Sequence, residues 1–136
     1  MFSLLSILPF ALAVYAQSDC ARIYTVVTGD ICDAISVVHN SSTYQLAAAN
    51  PEINADCSNL FPGETLCLGL TGQDCTSTAV ITSGDSCASI AATAGIADST
   101  LLANNPNVNA ECTNIYPNEV LCTASTVISY NTTSSA

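Results

Sequence analysis

The sequence predicts an α+β chain of two tandem βααβ units, each stapled by disulfides. Three observations carry that expectation. The eight cysteines form two ladders of one spacing, Cys20, Cys32, Cys57, Cys67 and Cys75, Cys87, Cys112, Cys122, so that every member of the first recurs 55 positions later. At that offset 17 of the 48 positions from Cys20 to Cys67 are identical, among them Gly29/Gly84, Asp30/Asp85, Asn50/Asn105, Pro51/Pro106, Asn54/Asn109, Pro62/Pro117 and Glu64/Glu119. Within each ladder, short β-branched runs bracket two segments whose apolar residues recur at helical spacing.

In the first unit, Ile23-Tyr24-Thr25-Val26-Val27 is β-branched and aromatic and runs into Thr28-Gly29-Asp30, which predicts a strand and a turn. Asp30 is expected to cap a helix carried by Ile31, Ala34, Ile35 and Val38. Asn40-Ser41-Ser42 breaks that helix, and Ser42 or Thr43 opens a second through Tyr44, Leu46, Ala47 and Ala49. Asn50-Pro51 ends it, because a proline pushes the residue before it out of helical backbone. An irregular loop, Glu52 to Asn59, and a Pro62-Gly63 turn then lead to a strand at Thr65-Leu66-Cys67-Leu68. The second unit repeats the plan: a strand at Thr78 to Thr82, a turn at Ser83-Gly84-Asp85, a helix from Ser86 to Thr93 and a break at Gly95. A second helix from Ser99 to Asn104, a stop at Asn105-Pro106 and a strand at Val120-Leu121-Cys122 complete it. The expected division is 1–16 signal peptide, 20–68 first domain, 69–74 short linker, 75–123 second domain and 124–136 Ser/Thr-rich tail.

Phe2 to Ala16 is apolar, ends in Val14-Tyr15-Ala16 and turns polar at Gln17, so it resembles a secretory signal peptide. It is too short to span a bilayer. In an oxidising compartment the repeated, even cysteine count reads as a disulfide framework. The competing reading is zinc, but thiolate sites place ligands a few residues apart, whereas the gaps here are 11, 24 and 9 residues. The one histidine, His39, has Ala94 as its repeat partner, so no metal and no cofactor is expected. If the two strands of a unit pair antiparallel, the start of one lies beside the end of the other. That favours Cys20–Cys67 with Cys32–Cys57, and likewise Cys75–Cys122 with Cys87–Cys112. A unit of roughly 48 residues has a marginal core, which such bridges would supplement.

Composition restricts the partners. One basic residue against eleven acidic ones gives a formal charge of −10, which repels phosphate backbones and anionic lipid surfaces. No nucleic acid and, after signal removal, no membrane is expected. The surface is rich in Ser, Thr and Asn and suits a neutral ligand bearing hydroxyl and amide groups. Asp30, Asp85, Glu52, Asp56, Glu64, Glu111 and Glu119 invite a glycosidase reading, but Asp30 and Asp85 sit at turns, Glu64 and Glu119 lie in the turn before the last strand, and a unit this small leaves no deep cleft for a paired acid and base. The chain is therefore not expected to be an enzyme.

Tyr24-Thr25-Val26-Val27-Thr28-Gly29-Asp30, Asn50-Pro51-Glu52-Ile53-Asn54 and Pro62-Gly63-Glu64-Thr65-Leu66, in that order and twice over, resemble the lysin motif, LysM, in the cysteine-bearing form of secreted fungal LysM proteins. The second copy departs from the pattern at Ala79, where an aromatic is usual, and at Asn118, where the first copy has Gly63. The resemblance implies binding of chitin or N-acetylglucosamine oligosaccharides through two loops at one end of each sheet. Residue by residue these are Thr28, Gly29, Asp30, Ile31 with Asn50, Pro51, Glu52, Ile53, Asn54, and then Ser83, Gly84, Asp85, Ser86 with Asn105, Pro106, Asn107, Val108, Asn109. Loop backbone would meet the acetamide, and Ile31, Ile53 and Val108 its methyl or the sugar's apolar face.

Two sequons, at Asn40 and Asn131, mark expected glycosylation sites, the first in the turn between helices. The tail is expected to be disordered. The reading is a secreted protein, extracellular or wall-bound, and the resemblance to fungal LysM proteins implies that it sequesters chitin fragments from host receptors or shields the wall. The alternative is a structural cell-surface protein using the fold for protein contacts. Ligand-induced dimerisation is left open.

Overall fold

In the computed structural model, which describes residues 19–130, each half of the chain closes by pairing its first strand with its last. β1 (Cys20–Thr25) runs antiparallel to β2 (Thr65–Leu70), with Tyr24 opposite Leu66, and β3 (Thr78–Val80) to β4 (Val120–Cys122), with Ala79 opposite Leu121. Between them lie α1 (Cys32–His39) and α2 (Thr43–Ala49) in the first half, and α3 (Cys87–Ala94) and α4 (Asp98–Asn104) in the second. The βααβ order is thus present twice. The bridges are Cys20–Cys67, Cys32–Cys57, Cys75–Cys122 and Cys87–Cys112, so each half is closed separately. Among the described residues no helix is long and apolar enough to cross a membrane, and no group of three His, Cys, Asp or Glu is placed to hold a metal ion. The expected signal peptide and Asn131 lie outside the described residues.

Two small cores form. Val26, Ile35, Leu46, Leu66 and Leu68 are buried together in the first half; Ile81, Ile90, Leu101, Val108 and Leu121 anchor the second. Helices of seven or eight residues do not stand alone in water, so these contacts and the bridges hold them. A repeated side chain locks each sheet to its helices. Asn50, buried, donates from Nδ2 to the Leu46 and Cys67 carbonyls and accepts the Cys67 N–H at 2.9 Å. Asn105 makes the same three bonds to Leu101 and Cys122.

The helix start corrects one expectation. Asp30 does not cap α1; the N-cap position is Ile31, which offers no side-chain bond. With the helix beginning at Cys32, Asp30 stands one residue too early and turns back. Its Oδ2 accepts the Val27 N–H at 2.9 Å and the Tyr24 hydroxyl at 2.5 Å, closing the turn. Asp85 accepts the Thr82 N–H in the same way, while Ser86 caps α3 in a reciprocal box with Ser89. Ser42 caps α2 through the Gln45 N–H. At the second turn Asn118 has φ 78°, close to the 88° of Gly63, a left-handed conformation that asparagine tolerates better than most residues.

The connection between halves is pinned. Asp74 takes both Arg22 Nε and Nη2, at 2.7 and 2.8 Å, and the Gln45 amide bridges Leu68, Asp74 and Cys75. Gly69 lies so close to this cluster that a Cβ would stand 2.1 Å from Asp74 Oδ1. Across the halves, Thr43 Oγ1 accepts the Val120 N–H, and the Tyr116 hydroxyl donates to Asp33 Oδ1 at 3.2 Å. The start of the tail is ordered, against expectation. Buried Asn104 donates to the Thr126 carbonyl and accepts the Ile128 N–H, its own carbonyl accepts the Tyr130 hydroxyl, and Tyr130 packs edge-on to Tyr44. Ile128 and Tyr130, both half-buried, supply the apolar surface that the Ser/Thr content obscured, while Val127 stays exposed.

Candidate functional site

The turn before α1 and the loop after α2 meet in the first half. Ile31 from one and Asn50, Ile53 and Asn54 from the other line a cavity of about 460 Å³. Its floor is α1 and α2, through Ser36, Thr43 and Ala47, and the Cys32–Cys57 bridge ties the two lips. Ile31 is 61% exposed, an apolar side chain held at the rim. Ser36 Oγ is buried and has no hydrogen-bond partner among the described residues, so an unsatisfied hydroxyl lies just behind the cavity wall. The third wall comes from the other half, as Tyr116 closes the side next to Asp33.

The remaining expected residues have other positions. Thr28, Gly29, Pro51 and Glu52 are exposed beside the cavity, and Asp30 is committed to its turn. The loop is stiffened internally: Asn59 accepts the Asn54 N–H and donates to the Glu52 carbonyl, and the Asn54 amide reaches Ser58. Among the described residues the Pro51 and Ile53 carbonyls are left without partners.

The second half departs from this plan despite its repeat. Val108, partner of Ile53, is 7% exposed and packs into the core, and Ala91 stands where Ser36 stands. Asn107 donates to Glu119, Asn109 is tied to Thr113 and Asn114, Ser86 is a helix cap, and Asn105 is the sheet pin. Ser83, Gly84 and Pro106 are exposed, and Asp85 lines a different hollow, against β3 and α3.

The charges around the first cavity are acidic. Partial burial, then the Asp33 and Glu119 carboxylates, push the Tyr116 hydroxyl up to about 12, so it remains a donor. Burial also raises Glu119, whose oxygens accept the Tyr116 and Asn107 N–H groups. The hydrogen bond from Tyr24 holds Asp30 below the usual carboxylate range, and that from Ser58 does so for Asp56. Arg22, the one basic residue, is spent on Asp74 and on the His39 and Asn40 carbonyls. His39 packs against Tyr24 with ring centres 4.7 Å apart and planes tilted by 47°. Asn40 is exposed in a left-handed helix end, within 3.4 Å of the Thr78 hydroxyl.

Sequence reasoning missed Ser36, Asp33 and Tyr116. Ser36 carried a signal, a serine next to Ile35 on the buried side of a helix whose repeat partner is alanine. Tyr116 carried none, since its partner Phe61 is an exposed aromatic at the same point of the first unit.

The model of the LysM domain matches residues 24–69 and 79–123, more than half of the chain. Among characterised relatives, the chain is 32% identical to the secreted LysM effector LysM1 of Trichophyton rubrum, over 76% of this chain and 50% of that one. It is 27% identical to the secreted LysM effector Blys8 of Beauveria bassiana, over 76% of this chain and 34% of the relative. It is 28% identical to the secreted LysM effector ldpA of Aspergillus fumigatus, over 77% and 36%. The chain matches half or less of the length of these relatives. With the motif in both halves and the βααβ order in each, the chain belongs to the LysM domain family.

Proposed function

We propose that the chain is a secreted, non-catalytic protein that binds chitin or N-acetylglucosamine oligomers, with its main site in the first half. The observation that carries this reading is the cavity in which Ile31, Ile53 and Asn54 come together over a buried Ser36 hydroxyl that has no partner among the described residues. An acetamido sugar supplies what such a wall lacks: hydrogen-bonding groups for Ser36 and the free loop carbonyls, and a methyl and ring face for the two isoleucines. The ligand is neutral, in keeping with a cavity that holds Asp33 and Asp56 but no cation. Secretion is supported by the secreted relatives and by the bridges, which need an oxidising compartment. Carboxylates that might have formed an acid and base pair hold turns instead: Asp30, Glu64 and Glu119 each accept backbone N–H groups. Sequestering chitin fragments from host receptors, or shielding the wall, is the role we assign to this binding.

Incubating the full chain with insoluble chitin, chitosan, cellulose and peptidoglycan tests it, with selective depletion by chitin expected. Depletion by none favours the protein-contact role, and release of soluble sugar an enzyme. Ile31→Asp, at an exposed rim position, is expected to weaken uptake about tenfold while leaving the melting temperature unchanged. Unaltered uptake by that variant would remove the cavity from the account.

A further inference from the structure

The second half contains a hollow of about 340 Å³ between β3 and α3, bordered by Ala79, Asp85, Ile90, Thr93 and Ala94. The first half reveals what belongs there. At the repeat offset, Ala79 corresponds to Tyr24, Ala94 to His39 and Asp85 to Asp30. Tyr24 sets its ring against His39, centres 4.7 Å apart and planes tilted by 47°, and donates its hydroxyl to Asp30 Oδ2 at 2.5 Å. Two alanines have removed both rings from the second half and kept the carboxylate. Asp85 Oδ2 is occupied by the Thr82 N–H and hydroxyl, at 2.8 and 3.1 Å, while Oδ1 has no bond among the described residues.

We propose that this hollow is a binding site for a phenolic ring, which takes the place of the missing tyrosine with its face on Ile90 and Ala94 and its hydroxyl donated to Asp85. A carboxylate rewards the hydroxyl with a charge-assisted bond, so a phenol is preferred over a plain aromatic. The ring buries apolar surface on β3 and α3 without displacing any side chain, since the space is already open.

Titrating the full chain with p-cresol while following the Ile90 and Ala94 methyl resonances tests this. Saturable shifts are expected with a dissociation constant on the order of 1 mM or tighter, as suits so small a ligand. Toluene, which lacks the hydroxyl, is expected to bind at least about tenfold more weakly. Ala79→Tyr fills the hollow with the first half's own side chain and is expected to abolish the shifts. Ala94→His, which narrows the hollow from the helix side, checks the same point independently. Neither residue belongs to the sugar-binding loops, so chitin uptake by both variants is expected to be retained, which separates this site from the proposed sugar site. A second titration with N-acetyltyrosinamide identifies the source. Binding equal to that of p-cresol assigns a tyrosyl side chain of a peptide, and exclusion assigns a free small phenol. Absence of shifts with p-cresol, equal binding of toluene, or shifts that persist in both variants would overturn the proposal.

Discussion

Asparagines at repeated positions do opposite things in this fold. Asn50 and Asn105 are buried clamps between helix and strand, whereas Asn54 and Asn109 organise an exposed loop. The repeat flagged all four, because identity at a fixed offset reports that a side chain is kept and says nothing of which way it points. Asp30 taught a similar lesson: a carboxylate before a helix reads as a cap, but the strand it left offered a nearer N–H and a tyrosine hydroxyl. Ser36 is where structure and chemistry part company. Its hydroxyl is buried and unpaired among the described residues, so Ser36→Ala is expected to raise stability by about 1 kcal/mol in denaturant unfolding. The same change is expected to weaken binding of N-acetylglucosamine oligomers several-fold by calorimetry. A rise in stability with unchanged binding would mean that the hydroxyl faces the core alone.

Element order and the stop at each Asn-Pro were legible because hydrophobic period and proline sterics act over a few residues. Strand ends were less so. β1 begins at Cys20 and β2 runs to Leu70, into the stretch read as linker, since the pairing partner decides where a ladder stops. That stretch then ends in the Arg22–Asp74–Gln45 cluster. Burial alone would raise the Asp74 pKa, but hydrogen bonds from Arg22 and Gln45, together with the guanidinium charge, outweigh it and leave the group below its ordinary value. A carboxylate lowered by folding contributes stability in full above its unfolded pKa of 3.8, and that contribution fades as pH falls through the folded value. Asp74→Asn is therefore expected to lower stability near neutral pH and to flatten the dependence of the unfolding midpoint below pH 4. A variant whose acid limb is as steep as that of the parent would place the titration elsewhere.

For the molecule as a whole, the duplication was plain in the cysteine ladder, but it left open whether both units bind. The halves are not equal. Tyr116 reaches back to wall the first cavity, while Val108 and Ala91, at the repeat positions of Ile53 and Ser36, are buried in the second core. No reading of one repeat against the other reveals this, because it depends on packing between them through Thr43 and Asp33. Calorimetry with a short N-acetylglucosamine oligomer is expected to give one strong site per chain, and Tyr116→Ala to weaken it by about tenfold although the residue lies in the second unit. Two equal sites that ignore Tyr116 would restore the symmetrical picture.

Arg22 holds a consequence of its own. The protein carries a formal charge of −10, and its only guanidinium is turned inward against Asp74, so it presents neighbouring molecules with almost unrelieved negative charge. Copies sharing one uncharged polysaccharide strand would push each other apart over about a Debye length, roughly 8 Å in physiological salt. Coverage of a fibre would then be limited by mutual repulsion along it before every sugar was taken, and would grow denser as ionic strength rose.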